Sequence, residues 1–462
     1  MMKTTEKKMF GKIIFLFICL LLVGALSCAI IFLAPLNFNT YYISSFVNSE
    51  LVYFMLGLCA LVAISLVWML FVCFSATRHT RKTLKKVGGT KSQKARRSKR
   101  KKVEGRFSML SKIDKKMSSY KLPRQKNITL EELCTAFRNY AANELGLYYG
   151  IEDVRRFIAG MSVTRLILLQ GMSGTGKTSL AYAMGQFIEN ESVIVPIQPM
   201  WKERSDMIGY FNEFTKKFNE TTLLRKMYEA GYRKEMYVTV LDEVNISRIE
   251  YYFAEFLSLL ELPDAQNRYL DVVSDVWEND PVRLKEGKIN LPENMWFIGT
   301  ANNDDSTFSI SDKVYDRAMV ISLESKCTPF VAEKQASVRL PYSEWINLFS
   351  EAKRLYPISE KIQEKIAKID AFLMEEYRIS FGNRIMKQIR EYVPVMVACG
   401  GTEEGAVDDI LANKVLRKLE QQNPLHVRNS LDALIALIDE QFGESLPLCT
   451  AFLHRFRVNI EI

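Results

Sequence analysis

Leu166-Ile167-Leu168-Leu169-Gln170-Gly171-Met172-Ser173-Gly174-Thr175-Gly176-Lys177-Thr178-Ser179 is the stretch on which the reading of the 462-residue chain turns. The apolar run predicts a buried strand, the glycine-rich loop follows, and a helix-forming run continues from Ser179 to Phe187. Strand, glycine loop and helix in that order are what a phosphate-binding loop requires. The glycines let backbone N–H groups turn inward onto phosphate oxygens, and the helix N-terminus adds partial positive charge. In this reading Gly171, Ser173, Gly174, Thr175, Gly176, Lys177, Thr178 and Ser179 line the phosphates of a nucleotide. Lys177 reaches the β- and γ-phosphates, and the Thr178 hydroxyl ligates Mg²⁺. A chance glycine turn is the bland alternative; it does not require all four fixed positions and both flanks to agree.

The next chemistry lies at the ends of later strands. The run 236–241 (MYVTVL) predicts a strand that ends in Asp242-Glu243. An acid at the end of a buried strand beside a phosphate loop can hold Mg²⁺, and its neighbour can polarise the attacking water. Asp242 is assigned to the metal and Glu243 to the base, against the alternative that the pair only caps a helix. The run 295–300 (MWFIGT) leads into Ala301-Asn302, which puts Asn302 beside the γ-phosphate as a water-orienting group, unless it only shapes the turn.

Strands are also expected at 192–196 and 318–323, with helices at 129–140 and 151–161. Strands alternating with helices predict an α/β fold, a three-layer P-loop NTPase domain over residues 128–333. Beyond residue 334 the pattern is helical only, at 343–355, 359–376, 383–398 and 429–442, and predicts a C-terminal helical lid over 334–462.

The N-terminal part reads differently. The runs 13–36 and 51–74 are apolar and uncharged, each long enough to cross a bilayer, so residues 1–76 are expected to form a hairpin of two transmembrane helices. Lysines precede the first run, none occurs in residues 37–50, and 13 Lys or Arg with no acid fill residues 78–102. This bias puts both termini and the globular part in the cytosol, with the chain in the cytoplasmic membrane of a prokaryote. Residues 77–127 are expected to be a basic, largely disordered linker. Its charge fixes topology, binds anionic lipid headgroups, or binds nucleic acid; with no aromatics among the charges, base stacking has no support.

The formal charge of +9 resides in that segment, and the rest of the chain is mildly acidic. The eight cysteines include no Cys-x-x-Cys, and the three histidines show no zinc spacing. Reduced cysteines and no metal chemistry beyond Mg²⁺ are expected.

From residue 152 to 421 the sequence resembles the McrB branch of the AAA+ NTPases, motor subunits of modification-dependent restriction systems. The resemblance is carried by the glycine loop and by Gln198-Pro199-Met200-Trp201 with Asp206-Met207-Ile208-Gly209-Tyr210. It continues through Leu241-Asp242-Glu243-Val244-Asn245, Phe297-Ile298-Gly299-Thr300-Ala301-Asn302, Lys313-Val314-Tyr315-Asp316-Arg317-Ala318 and Phe381-Gly382-Asn383-Arg384. It implies a homo-oligomeric ring, expected to be a hexamer, with nucleotide between subunits. It also implies that Arg317 reaches the γ-phosphate of the neighbour, that Arg384 is a sensor coupling the lid to nucleotide, and that Asn245 helps position the water or a partner's activating group. The substrate is ATP or GTP, since phosphate loops read phosphates only. An McrC-like or other neighbour-encoded effector is the implied partner, and the place of nucleic acid stays open.

Three functions compete on this reading. One is a membrane-anchored NTPase that drives or switches a separately encoded partner, in anti-phage defence or modification-dependent restriction. The second is a chaperone that remodels a membrane protein or complex. The third is a nucleotide-gated assembly scaffold, against which the presence of Lys177, Asp242, Glu243 and Arg317 together argues.

Overall fold

The computed structural model describes residues 105–117, 120–121, 128–302 and 307–461. Its centre is a sheet of five parallel strands in the order β2 (Val193–Pro196), β5 (Tyr237–Asp242), β8 (Met295–Asn302), β1 (Leu166–Gly171), β9 (Met319–Ser322). Side chains alternate between its faces as the pleat dictates. Ile167, Leu169, Val238 and Val240 join one apolar cluster, while Leu166, Leu168, Tyr237 and Leu241 join the other. Burial of both faces explains why these strands read as continuous apolar runs.

Parallel pairing fixes which residues share an end of the sheet. Gly171 is level with Asn302, and Pro196 with Asp242. The C-terminal ends of β1, β5 and β8 therefore gather the glycine loop, Asp242-Glu243 and Asn302 at one rim, where open α/β sheets place their ligands. Two short antiparallel hairpins interrupt the α/β pattern: β3 (Phe211–Asn212) with β4 (Lys217–Phe218), and β6 (Tyr269–Asp271) with β7 (Lys288–Asn290).

The lid comprises the helices Tyr342–Leu355, Glu360–Tyr377, Gly382–Ala398, Glu403–Ile410, Pro424–Phe442 and Pro447–Glu461, with a π-helical turn at Leu411–Val415. Its apolar cluster is continuous with one face of the sheet. Helix Gly382–Ala398 packs on Ile151–Val163, so lid and sheet share a core.

Residues 105–117, assigned to the linker on sequence, carry a packed helix, Leu110–Met117. Phe107 and Leu110 enter the core, and Arg106 is buried. Its guanidinium donates to Asp280 Oδ1 at 2.8 Å and to Asp275 Oδ1 at 2.7 Å, and lies 4.6 Å from the Trp277 ring centre. Phe218 N donates to Arg106 O at 2.8 Å, which ties this segment to β4 as well.

The membrane part of the expected fold class is corrected. Among the described residues no helix is long and apolar enough to cross a membrane. The two transmembrane helices are therefore removed from the fold class, and with them the placement as a two-span protein of a prokaryotic cytoplasmic membrane. The runs 13–36 and 51–74 themselves lie outside the described residues. Charge disqualifies the longest described helices, which belong to the lid. Pro424–Phe442 carries Arg428, Asp432, Asp439 and Glu440, and Glu360–Tyr377 carries a charge at almost every turn. Each buries one stripe against protein and gives the other to water.

Candidate nucleotide-binding site

The loop after β1 is shaped by glycines that no other residue could replace without strain. Gly171, Gly174 and Gly176 all have positive φ, at 141°, 79° and 94°. A Cβ on Gly171 would stand 2.2 Å from Leu323 O, so β9 and the loop meet there backbone to backbone. Gly176 precedes helix Lys177–Phe187 and offers no side-chain cap, which leaves the first N–H groups of the helix open to an anion.

Lys177 is buried, and its Nζ donates to Gly171 O at 3.0 Å and Met172 O at 2.7 Å. The ammonium is thus curled under the loop it would serve. Tyr149 closes the other side, its hydroxyl donating to Gly176 O at 3.1 Å. Burial pushes the Tyr149 phenol up, so it stays a neutral donor.

Thr178 Oγ1 donates to Asp242 Oδ1 at 2.7 Å, and Thr300 Oγ1 donates to the same oxygen at 2.9 Å. Thr300 also accepts from Glu243 N at 3.0 Å. Glu243 itself is left-handed, at φ 57° and ψ 55°, a conformation that costs a non-glycine residue about 1 kcal/mol. This turn sends the exposed Glu243 carboxylate towards Asn302, whose Nδ2 lies 3.4 Å from Glu243 Oε1. Asn245 Nδ2 donates to Asn302 O and to Thr307 Oγ1, both at 2.8 Å, while its buried Oδ1 has no hydrogen-bond partner.

The donor set fits a nucleoside triphosphate with Mg²⁺: an ammonium, open helix N–H groups and glycines for close approach, beside a hydroxyl and a carboxylate oxygen already in contact. Among the described residues no group of three or more His, Cys, Asp or Glu could hold a metal unaided. A cation here would depend on phosphate and water oxygens for the rest of its shell.

The structure brings together Lys177, Thr178, Asp242, Glu243 and Asn302. It puts Arg317 and Arg384 elsewhere. Arg317 precedes β9 at the opposite end of the sheet, roughly 17 Å from Gly171 along the six-residue strand β1. Its Nη2 lies 3.1 Å from Glu261 Oε2, and Arg384 from the lid pairs with the other oxygen of Glu261. Both arginines line a cleft of about 1360 Å³ with Arg165, Arg268, Arg283 and Lys353. Arg384 is therefore beside Arg317 and not beside the loop of its own chain.

Sequence reasoning gave no role to Thr300, Tyr149 or Glu261. Thr300 had a usable signal: it is a polar residue two positions before Asn302, on the same face of an otherwise apolar strand. The other two had none, because their partners are distant in sequence.

A parallel sheet with a glycine loop after β1 and an Asp-Glu pair after β5 on the same rim defines an α/β P-loop domain. Residues 166–318 match the AAA domain family, dynein-related subfamily, and this region is an AAA domain. Residues 332–461 match a domain of unknown function, DUF8727, which coincides with the helical lid. Among solved structures the chain is similar to a provisionally described ATPase from Cytophaga hutchinsonii ATCC 33406, at 16% identity and TM-score 0.38, over 59% of this chain and 84% of that one. It is also similar to a full-length MCM homolog from Methanopyrus kandleri, at 8% identity and TM-score 0.34, over 63% of this chain and 61% of that one. Likenesses this distant carry no argument about activity. A comparison with curated proteins finds no relative of the chain.

Proposed function

We propose that the protein is an AAA+ nucleoside-triphosphatase of the McrB-like kind, which hydrolyses ATP or GTP in a homo-oligomeric ring to drive or switch a separately encoded partner. Bacterial anti-phage defence or modification-dependent restriction is the setting that the sequence resemblance favours. The observation that carries the enzymatic part is the chain Thr178–Asp242–Thr300–Glu243–Asn302. It brings two carboxylates, two hydroxyls and an amide side by side at the rim that holds the glycine loop.

In this reading Lys177 leaves the loop carbonyls for phosphate oxygens, and Glu243 takes the proton of a water that Asn302 orients. Thr178 and Asp242 would hold Mg²⁺, which would supply charge neutralisation on the phosphates. Arg317 is half-buried in the cleft at the far end of the sheet, from which it would serve a neighbouring subunit. The partly exposed hairpin β3–β4, with Phe214 fully exposed at its tip, favours a second reading: a motor that grips and remodels a protein.

The test is phosphate release by the purified full-length chain with ATP and with GTP, alone, with DNA, and with the protein encoded next door. Nucleotide-dependent turnover that Lys177→Ala abolishes supports the enzyme, and stimulation by the neighbour or DNA supports the restriction-type setting. Turnover unchanged in Lys177→Ala would sink the site assignment. Turnover indifferent to both additions would favour the remodelling reading.

A further inference from the structure

The backbone on either side of Arg317 is gripped from the lid. Lys414, 3% exposed, stands in the π-helical turn Leu411–Val415. Its Nζ donates to Ala318 O at 2.8 Å, to Asp316 O at 3.5 Å and to Gln388 Oε1. Gln388, on helix Gly382–Ala398, donates from Nε2 to Asp316 O at 3.1 Å. Lys418 Nζ lies 3.4 Å from Asp316 Oδ1. The carbonyl of Arg317 itself accepts from Thr164 Oγ1 at 3.0 Å. Three acceptors surround Lys414 and match the three N–H donors of its protonated form.

The side chain of Arg317 is tied to the lid as well. Glu261 is shared between Arg317 and Arg384, and Arg384 lies one helical turn before Gln388 on the same face of its helix. Two guanidiniums on one carboxylate leave a net positive charge and many unused donors, a suitable receiver for a polyanionic phosphate chain. Burying a lysine to satisfy main-chain carbonyls is a costly way to fill a core where an apolar side chain would pack. What it secures is the path of residues 316–318 relative to the lid.

We infer that Lys414 is a positioning residue for Arg317, holding it in register with the lid so that it is presented to the triphosphate of a neighbouring copy of this chain. The inference rests on the ring reading above. Lys414 does not touch the reacting atoms, and it acts on a nucleotide bound by another subunit.

The experiment uses mixed oligomers of the full chain. A Lys177→Ala chain cannot hold nucleotide but offers Arg317, and an Arg317→Ala chain holds nucleotide but offers no arginine. Mixing them is expected to restore turnover that neither shows alone. Adding Lys414→Met to the Lys177→Ala chain should then lower kcat by about 10- to 100-fold, the usual consequence of a small misplacement, with KM unchanged. Adding it to the Arg317→Ala chain should leave the restored turnover intact. Loss that follows the nucleotide-holding chain, or equal loss from both placements, would overturn the inference. No restoration in the parent mixture would overturn the ring reading and the inference with it. Where Lys414→Met does not fold, Gln388→Met takes its place with the same expected pattern.

Discussion

Thr178 Oγ1 and Asp242 Oδ1 meet at 2.7 Å, across the gap between the first turn of the loop helix and the end of β5. The contact sets the carboxylate before any cation arrives, with Thr300 holding the same oxygen from the other side. Hydroxyl and carboxylate would then offer a cation a pair of oxygen ligands at one point. Thr178→Val should remove the benefit of Mg²⁺ to nucleotide binding. Titration with a fluorescent nucleotide in Mg²⁺ and in EDTA should show the wild type roughly 10- to 100-fold tighter with metal. The valine variant should show little difference, and Thr178→Ser should restore it.

Glu243 combines an exposed carboxylate with a left-handed backbone. Glu243→Gln keeps the shape and removes the base, so nucleotide should bind normally while kcat falls by about 100-fold or more. Glu243→Gly also loses turnover, but it relieves the backbone and should raise the unfolding midpoint, by a gain of about 1 kcal/mol. A glycine variant that is both inactive and less stable would show that the conformation carries no strain.

Gly171 sits where a methyl group would meet the Leu323 carbonyl at 2.2 Å. Gly171→Ala should lose about 3 kcal/mol of stability in urea unfolding, since neither backbone has room to move. Gly146→Ala is the control: its φ is also positive, at 66°, but nothing lies within 4 Å, so the cost should be about 1 kcal/mol.

Burial pushes Lys414 down to about 7, against the pull of Asp316, and Lys418 and Arg384 add to the depression. In the unfolded chain this lysine keeps its proton to near 10.5. Between those values the unfolded state holds more protons than the folded state, so this group makes the fold gain stability as pH rises from about 7 to 10.5. Below 7 both states are protonated and the slope vanishes. Relative to Lys414→Met, the wild type should gain up to about 1.4 kcal/mol per pH unit within the window. Parallel curves for the two proteins would refute the assignment.

How much of this was legible beforehand depended on the range of the signal. β1, β5 and β8 announced themselves as apolar runs because both faces of the sheet are covered, and the glycine loop fixed what lay at their ends. Helix Pro447–Glu461 falls outside the helical runs expected for the lid, and Thr222–Ala230 and Glu403–Ile410 are too short to establish a period. Two-residue strands such as Phe211–Asn212 cannot show alternation at all. The place of Arg384 was out of reach for a different reason. A motif says which residue begins a lid helix, whereas the packing of Gly382–Ala398 on Ile151–Val163 decides which end of the sheet that helix serves.

Arg106 is more than a core residue, because it fastens three separate segments of the chain. Its two charge-assisted contacts, to Asp275 and Asp280, are on the segment between β6 and β7, and its carbonyl is bonded to β4. Residues 105–107, the insertion between β6 and β7 and the hairpin β3–β4 are therefore joined at one residue, through its guanidinium and its carbonyl. The two inserted hairpins are coupled to each other directly through Arg106 and not only through the sheet that carries them both.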